Sequence, residues 1–374
     1  MTAVVLTIAI LLLSGGTAWA QSGSAAEDGS VYDRIWKFSE WYKNESNPTV
    51  QEVLFTGRFQ EDYAAADADQ GDLSEWNVRR FRVGPRIRFL KTFTFHAEAE
   101  LNPQEHNPLF QRFTDLYLQW KRSDQATFTF GKQSVPFTMD GATSSKELLT
   151  IDRSNLSNNL WFPQEYIPGV SLSGRNGGWV YRAGLYSAGS ANRGFGEFNG
   201  SWFGLGVAGY NFAKRLGVKD ALLSGNYVYQ PADADNTFTR ALEHVVSVNF
   251  KFEADRWGLR SDASAAAGYL AQSDLWGVMA MPFVNATERL QFVGRYTLVD
   301  SDGPNGVRLA TYESGIVPGR GDRYDEAYGG ANYYFYGHKL KLQTGVQWAD
   351  MEDRANDGGA YSGVAWVTGL RIGW

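Results

Sequence analysis

Residues 80–89 alternate between cationic and apolar side chains. The even positions hold Arg80, Arg82, Gly84, Arg86 and Arg88, and the odd positions hold Phe81, Val83, Pro85, Ile87 and Phe89. A period of two residues is typical of a β-strand with one apolar and one polar face. The same period returns in many later segments, among them those that begin at Leu242, Leu290 and Leu340. The pattern therefore predicts an all-β chain.

About sixteen such segments follow one another, each near the roughly 9–11 residues that cross a bilayer as a tilted strand. Their predicted starts lie near Val50, Asn77, Thr92, Thr114, Thr127, Pro168, Trp179, Ser201, Ala221, Ala241, Trp257, Leu275, Glu288, Tyr324, Lys339 and Ser362. The connections alternate in length. Short turns include Leu90–Lys91, and the long loops are Glu61–Glu75, Asn102–Phe113, Lys132–Ile167, Ala188–Gly200, Asp300–Arg323 and Asp350–Tyr361.

Short turns at one end, long loops at the other and an even strand number are typical of bacterial outer-membrane proteins. Backbone groups in lipid must all be paired internally, and a closed antiparallel sheet has no edge. The final segment alternates up to the aromatic Trp374, as such barrels generally do. We therefore expect a transmembrane antiparallel β-barrel over residues 50–374, with outer-membrane lipid and lipopolysaccharide around it.

The first residues predict export. Ala3–Leu13 is an apolar run too short to span a bilayer as a helix. It is followed by Ala18-Trp19-Ala20, a small-x-small cleavage pattern. We expect a signal peptide over residues 1–20, with an N-terminal anchor helix as the alternative. Residues 21–49 then form an N-terminal periplasmic segment. Within it, Tyr32–Tyr42 is expected to form a short helix or a periplasmic plug, with a linker as the alternative.

Composition narrows the class of function. The chain has 374 residues and no cysteine. Its net charge is −6, so there is no excess of basic residues that would suggest binding to nucleic acid. The mean hydropathy of −0.35 is compatible with a membrane barrel because only one face of each strand meets lipid. No ATP site, cofactor or redox centre is implied.

The four arginines of residues 80–88 are the clearest candidates for function. Lined up along one wall of a water-filled lumen, their guanidinium groups would attract anions and pass them along. An odd-residue turn at 90–92 places Arg86 opposite His96 and Arg82 opposite Glu100, so the same arginines equally form a charge-balanced wall.

The segment Lys132–Ile167 is far longer than an ordinary loop, and such loops are commonly functional. Its apolar groups, including Val135-Pro136-Phe137, favour folding into the lumen as a constriction; an outward surface loop is the alternative. The candidate pore-lining and anion-binding residues are Arg80, Arg82, Arg86, Arg88, Lys121, Lys132, Lys146 and Arg153.

Several motifs of this region resemble the phosphate-selective porin O and P family. They are Gly131-Lys132-Gln133-Ser134-Val135-Pro136-Phe137, Thr143-Ser144-Ser145, Asp152-Arg153-Ser154, Arg79-Arg80-Phe81-Arg82-Val83-Gly84 and Asp115-Leu116-Tyr117-Leu118. The resemblance covers about residues 79–174. It implies a homotrimer of sixteen-stranded, anion-selective channels with an inward third loop, and phosphate or polyphosphate as cargo. Asp152 stands where the family usually has Glu.

The sequence gives less support to other classes of function. An enzyme barrel would need a nucleophile and a base, but no G-x-S-x-G motif is present and His106 is the one candidate base. Gly204–Gly209 fits G-x-G-x-x-G by letters but lies in a predicted strand, and the four histidines show no metal-ligand spacing. Two alternatives remain: a general or cation-leaning porin, suggested by Glu98, Glu100 and Asp115, and a structural or adhesive barrel.

Overall fold

The computed structural model describes residues 30–104, 107–160, 166–188, 201–236 and 240–374. The predicted signal peptide and His106 lie outside these ranges. The chain forms two units, which divide between Lys37 and Phe38. In the described part of the first unit, helix α1 (Val31–Trp36) begins with a capping box, in which Ser30 and Asp33 bond each other's backbone N–H. Within Tyr32–Tyr42, helical backbone therefore covers only the first part.

The second unit is a β-barrel with two short helices in its third loop and one in a turn. Strand β1 (Glu40–Lys43) precedes the barrel and pairs with its first strand. The barrel strands are β2 (Val50–Ala68), β3 (Gly71–Phe89), β4 (Phe93–Leu101), β5 (Phe110–Ser123), β6 (Ala126–Ser134), β7 (Tyr166–Asn176), β8 (Trp179–Ser187), β9 (Trp202–Asn211), β10 (Asp220–Tyr229), β11 (Leu242–Glu253), β12 (Trp257–Gly268), β13 (Leu275–Asn285), β14 (Leu290–Ser301), β17 (Arg323–Tyr336), β18 (Leu340–Glu352) and β19 (Tyr361–Gly373). A small hairpin, β15 (Val307–Arg308) and β16 (Arg320–Gly321), stands apart from the barrel sheet. The helices are α2 (Met139–Ala142), α3 (Asn155–Leu160) and α4 (Ala213–Leu216).

The sixteen barrel strands close on themselves. Each strand pairs antiparallel with the next, β9 pairs with β10, and β19 returns to β2 from Gly373 opposite Arg58 to Gly363 opposite Ala68. The predicted closed antiparallel barrel is confirmed. The turns at one end, here called the turn end, are short, and the long connections lie at the opposite loop end. Among the described residues, no helix has both the length and the apolarity needed to cross a membrane.

One predicted loop is wrong. Residues 61–75 form an extended hairpin, in which β2 runs to Ala68 and β3 begins at Gly71. The physical reason is packing around two small side chains, Ala64 and Ala66, which are both buried. Ala64 packs with Ile151 of the third loop and Tyr312 of the seventh loop, both of which fold inward. Contacts that are distant in sequence therefore extend strands that the local pattern ends.

Pro85 and Pro282 lie in the middle of their strands, where they lack the N–H that a ladder needs. Pairing from β3 to β4 is interrupted at Gly84 and Pro85, and pairing from β13 to β14 is interrupted at Pro282. A Cβ atom on Gly84 would lie 1.8 Å from the Ala97 carbonyl oxygen, so only glycine fits this close approach. Proline is thus placed where the ladder is already broken.

The third loop lies between β6 and β7, and its described residues, 135–160, fold into the barrel. Val135, Phe137, Leu148 and Leu156 are each at most 2% exposed. Val135, Phe137 and Leu156 belong to a buried cluster that includes inward side chains of the barrel, such as Met279. The predicted inward fold of this loop is confirmed, and burial of its apolar side chains is the physical reason for it.

The seventh loop, residues 302–322 between β14 and β17, also enters the lumen. It carries the β15–β16 hairpin and a 3-10 helix, Glu313–Gly315. Tyr312 and Glu313 are buried, at 6% and 1% exposed. This loop was predicted only as one of the long loops, without an inward fold.

Candidate functional site: the lumen between its two inward loops

The third loop is hydrogen-bonded to one side of the lumen. We call this side the packed wall; it consists of the inward faces of β2, β12, β14, β17, β18 and β19. Arg295 donates to Thr150 Oγ1 at 2.9 Å and to the Asp152 carbonyl at 2.8 Å. Lys341 Nζ donates to the Leu148 carbonyl at 2.6 Å. Carbonyl groups of the loop backbone therefore accept hydrogen bonds from Arg295 and Lys341, whose charged groups would otherwise face water.

Two buried ion pairs lie on the packed wall. Arg295 Nε lies 2.6 Å from Glu326, and both side chains are at most 2% exposed. Arg371 pairs with Asp62, again with both side chains buried. Buried charges are retained only when paired and hydrogen-bonded, so these groups hold structure in place.

The seventh loop completes the filling of this side. Asn155 donates to the Arg308 carbonyl at 2.7 Å, which ties the third loop to the seventh. Tyr312 Oη donates to Asp62 at 2.8 Å, and Tyr324 Oη donates to Glu313 at 2.9 Å. Burial, with the negative charge of Glu326 as the next cause, raises the pKa of Glu313 to about 7.

The opposite side of the lumen contains two cavities. We call it the open wall: the inward faces of β3–β10. An outer vestibule of about 800 Å³ lies at the loop end, and its charged lining residues are Arg79, Arg80, Arg112, Glu75 and Glu100. An inner chamber of about 920 Å³ lies between the third loop and the turn end. Its cationic lining residues are Lys121, Arg175 and Arg182.

The arginine ladder of β3 is partly neutralised. The predicted register is confirmed, with Arg82 opposite Glu100 and Arg86 opposite His96. Arg82 is 1% exposed and lies 3.0 Å from Glu100, which also accepts from Arg112 at 2.7 Å. Arg82 is thus a paired structural cation at the centre of the wall.

The other arginines of the ladder have different surroundings. Arg80 donates to Gln60 Oε1 at 3.1 Å and is buried, and Arg88 forms an ion pair with Glu45 near the turn end. Arg86 is exposed, and it makes no ion pair with any residue that the structure describes. Of the four, Arg86 is the one whose charge faces open water.

The four predicted lysine and arginine candidates outside β3 are dispersed. Lys121 lines the inner chamber and lies 2.8 Å from Asp124. Lys132 is buried at 1% exposed. Arg153 donates to the carbonyls of Asp140 and Thr143 within the third loop, at 2.9 and 3.0 Å.

Lys146 lies in the third loop and contacts the end of the chain. Its Nζ donates to the Trp374 carbonyl at 2.8 Å. Burial, followed by the nearby charge of Arg58, lowers the pKa of Lys146 to about 8. Its charge is therefore sensitive to pH close to neutrality.

Four cations of the open wall were not among the predicted residues: Arg79, Arg112, Arg175 and Arg182. Arg79 is the extra residue of a β-bulge between β2 and β3, and it lies 3.3 Å from Asp152. Bulges re-aim side chains and follow no simple period. Arg182 lies on the inward face of β8, opposite Ser173 and Val207, and forms no ion pair among the described residues. The alternation around Arg182 indicates its inward direction, but a single cation in a strand is not a distinctive sequence pattern.

Asp152 forms an ion pair between the third loop and Arg79 of the outer vestibule. Burial raises its pKa, but Arg79, Arg80 and Arg371 outweigh that effect and hold the pKa of Asp152 below its ordinary value. The carboxylate is therefore charged at neutral pH and fixes the tip of the third loop beside the arginines of β3.

Comparisons with known proteins agree with this architecture. The model of the phosphate-selective porin O and P family matches residues 53–202. No curated protein sequence matches the chain.

Three similar solved structures have low sequence identity to this chain. The outer membrane channel DcaP of Acinetobacter baumannii has a TM-score of 0.58 and 12% identity, covering 89% of this chain and 99% of that one. An anion-selective porin from Comamonas acidovorans has a TM-score of 0.59 and 13% identity, covering 86% and 99%. Salmonella typhi OmpF, solved with daunomycin, has a TM-score of 0.59 and 10% identity, covering 90% and 100%. At such identities the likeness concerns the fold.

The family match and the porin fold together support an outer-membrane channel for passive diffusion. Residues 53–202 match the phosphate-selective porin O and P family, and the chain is a sixteen-stranded β-barrel of the bacterial outer membrane.

Proposed function

We propose that this protein is a passive diffusion channel that prefers small anions, with phosphate and polyphosphate as candidate solutes. The observation that carries the proposal is the asymmetry of the lumen. Its open side presents Arg86, Arg182 and Arg175 without ion pairs among the described residues, while the inward glutamates Glu98 and Glu100 are each bonded to arginine.

The physical mechanism is electrostatic enrichment. Fixed positive charges in a water-filled, narrow space raise the local concentration of anions and lower that of cations. The overall charge of −6 does not oppose this, because ions in the lumen respond mainly to the nearest charges under physiological screening. Transport proceeds down a gradient and needs no catalysis or cofactor.

Phosphate is a candidate because arginine presents a planar fork of donors to its oxygens. The outer vestibule brings Arg79, Arg80 and Arg112 to one entrance, and Arg86 and Arg182 follow along the open wall. The similarity to a phosphate-selective porin family and to an anion-selective Comamonas porin favours the same solutes. A homotrimer is also proposed, since one solved form of Vibrio cholerae OmpT with this fold is a trimer.

The test is the reversal potential of purified protein in a planar bilayer under a KCl gradient. Wild type is expected to favour chloride, and Arg86→Gln/Arg182→Gln is expected to lose most of that preference. Arg256→Gln, an exposed arginine of a turn, is the matched control and is expected to behave as wild type. Cation preference in wild type, or an unchanged double variant, would contradict the proposal and favour a general porin.

A further inference from the structure

The inner chamber differs chemically from the arginine-lined vestibule above it. Its wall on β5, β7 and β8 carries Lys121, Arg175 and Arg182. The neighbouring wall on β10 and β11 carries Asn226 and Asn249, also inward. One cavity therefore combines a cationic side with an amide side.

The amide side has hydrogen-bonding capacity to spare. The side chain of Asn226 makes no hydrogen bond to any described residue. Asn249 Oδ1 accepts from Ser247 at 2.6 Å, and its Nδ2 donates to no described residue. Both side chains line the chamber with only small exposed fractions, 5% for Asn226 and 3% for Asn249. Amide atoms that lack a protein partner at the edge of a cavity are suited to a polar solute.

Apolar side chains lie between the two polar sides. Val207 lies between Arg182 and Asn226 in the strand register. Neighbouring strands are about 4.8 Å apart, so the backbones of Arg182 and Asn226 are separated by roughly 10 Å. Leu222 and Met139 add further apolar surface. The carbon skeleton of an organic solute would contact this apolar surface, whereas inorganic phosphate has no carbon atoms that could do so.

We propose that the inner chamber is a binding site for small hydroxylated organic anions, such as sugar phosphates and sugar acids. The charged head group binds Arg182 and Arg175 through the guanidinium forks. The hydroxyl groups bond Asn226 and Asn249, and the carbon skeleton lies on Val207 and the third loop. This inference rests on the proposed anion channel and names a solute class for it.

The chamber volume agrees with this class. About 920 Å³ lies in the range of small-molecule sites, which are mostly apolar with a few placed polar groups. Inorganic phosphate would occupy only a small part of the chamber and would use only its cationic side. Selection between organic and inorganic anions thus depends on the amide side, while selection of anions over cations depends on the arginines.

The experiment measures block of ion current in planar bilayers of the full-length channel. Glucose 6-phosphate is compared with inorganic phosphate, gluconate with acetate, and neutral glucose serves as the reference without charge. In wild type, each hydroxylated anion is expected to halve the current at about a tenfold lower concentration than its bare head group, equivalent to one additional good hydrogen bond. Gluconate alone or glucose 6-phosphate alone acting in this way would restrict the class to carboxylates or phosphate esters.

Variants separate the two sides of the chamber. Asn226→Ala is expected to raise the half-blocking concentration of glucose 6-phosphate about tenfold, with inorganic phosphate changed less than about twofold. Arg182→Gln is expected to weaken both. Asn77→Ala, which changes an asparagine of the outer vestibule, is the matched control and is expected to change neither.

Failure of this inference is distinguishable from failure of the proposed function. Equal block by glucose 6-phosphate and inorganic phosphate in an anion-selective wild-type channel, with no effect of Asn226→Ala, would overturn the chamber site alone. A wild-type channel without anion preference would overturn both.

Discussion

The two walls of the lumen carry similar residues and use them differently. On the packed wall, Arg295 and Lys341 are bonded to carbonyl groups of the third loop. On the open wall, Arg86 and Arg182 have no ion pair among the described residues. The difference is access to water, because a cation beside a cavity keeps its hydration whereas a buried one must find acceptors.

This comparison shows that inward direction alone does not make an arginine part of a conduction path. Arg82 points into the lumen with Arg86 on the same strand, yet it is enclosed by Glu100 and Tyr166. Loops that fold inward decide which side chains remain exposed. Four predictions follow from the contrast between the walls, beginning with the largest effect.

Removing a cation from the packed wall is expected to cost the most stability. Arg295→Met leaves Glu326 buried without its ion pair and frees Thr150 and Asp152 of the third loop. Loss of one partner of a buried pair typically costs about 3–5 kcal/mol. Urea unfolding of the detergent-solubilised barrel would measure it, and the freed loop is expected to alter single-channel conductance as well.

The matched variant on the open wall is Arg86→Met. Because Arg86 is exposed to the lumen, its substitution is expected to change the free energy of unfolding by no more than about 0.5 kcal/mol. Similar losses for the two variants would mean that the walls do not differ in the way described.

The seventh loop is expected to make stability depend on pH. The pKa of Glu313 is raised to about 7 from an ordinary value of 4.5. Between these values the folded protein holds a proton that the unfolded chain has lost, so stability falls as pH rises and is lowest above pH 7. The groups that surround this carboxyl are Glu326, Tyr324 and Gln347, with Arg295 paired to Glu326.

Glu313→Gln is expected to remove this dependence. Wild type should unfold at a lower urea concentration at pH 8 than at pH 5, and the difference between the two midpoints should shrink in the variant. Glu288→Gln changes an exposed glutamate in a turn and serves as the control. An unchanged pH profile in Glu313→Gln would show that this carboxyl does not titrate between the two conditions.

Lys146 is expected to give a smaller effect, on selectivity. With a pKa of about 8 it is mostly protonated at pH 7 and mostly neutral at pH 9. Wild-type preference for anions is therefore expected to weaken over that interval. Lys146→Met should show a lower preference at pH 7 and little change up to pH 9, whereas Lys219→Met, on an exposed turn, should follow wild type. A Lys146→Met variant with the wild-type slope would assign the titration to another group.

The sequence pattern predicted the barrel well because strand alternation is local. Fourteen of the sixteen predicted starts lie within two residues of the observed strands; the exceptions are β3 and β5. The register between β3 and β4 also follows from turn length and alternation, which place Arg82 opposite Glu100 as observed.

The division of the lumen was not predictable from the same information. The bulge at Arg79 breaks the period that identified its neighbours. The bonds of Arg295 and Lys341 join residues more than a hundred positions apart. The inward fold of the seventh loop depends on Asp62 and Tyr324, which receive and bury Tyr312 and Glu313. Such contacts arise from tertiary packing, and periodicity does not report on them.

Accessibility of the two walls to a permeating reagent tests the central claim most directly. The chain contains no cysteine, so Ser173→Cys on the open wall and Thr297→Cys on the packed wall each introduce a single thiol. Ser173 lines the inner chamber, and Thr297 is fully buried. The two variants would be exposed to a negatively charged methanethiosulfonate during current recording. The account predicts a rapid fall in conductance for Ser173→Cys and none for Thr297→Cys, and equal reaction at both positions would contradict it.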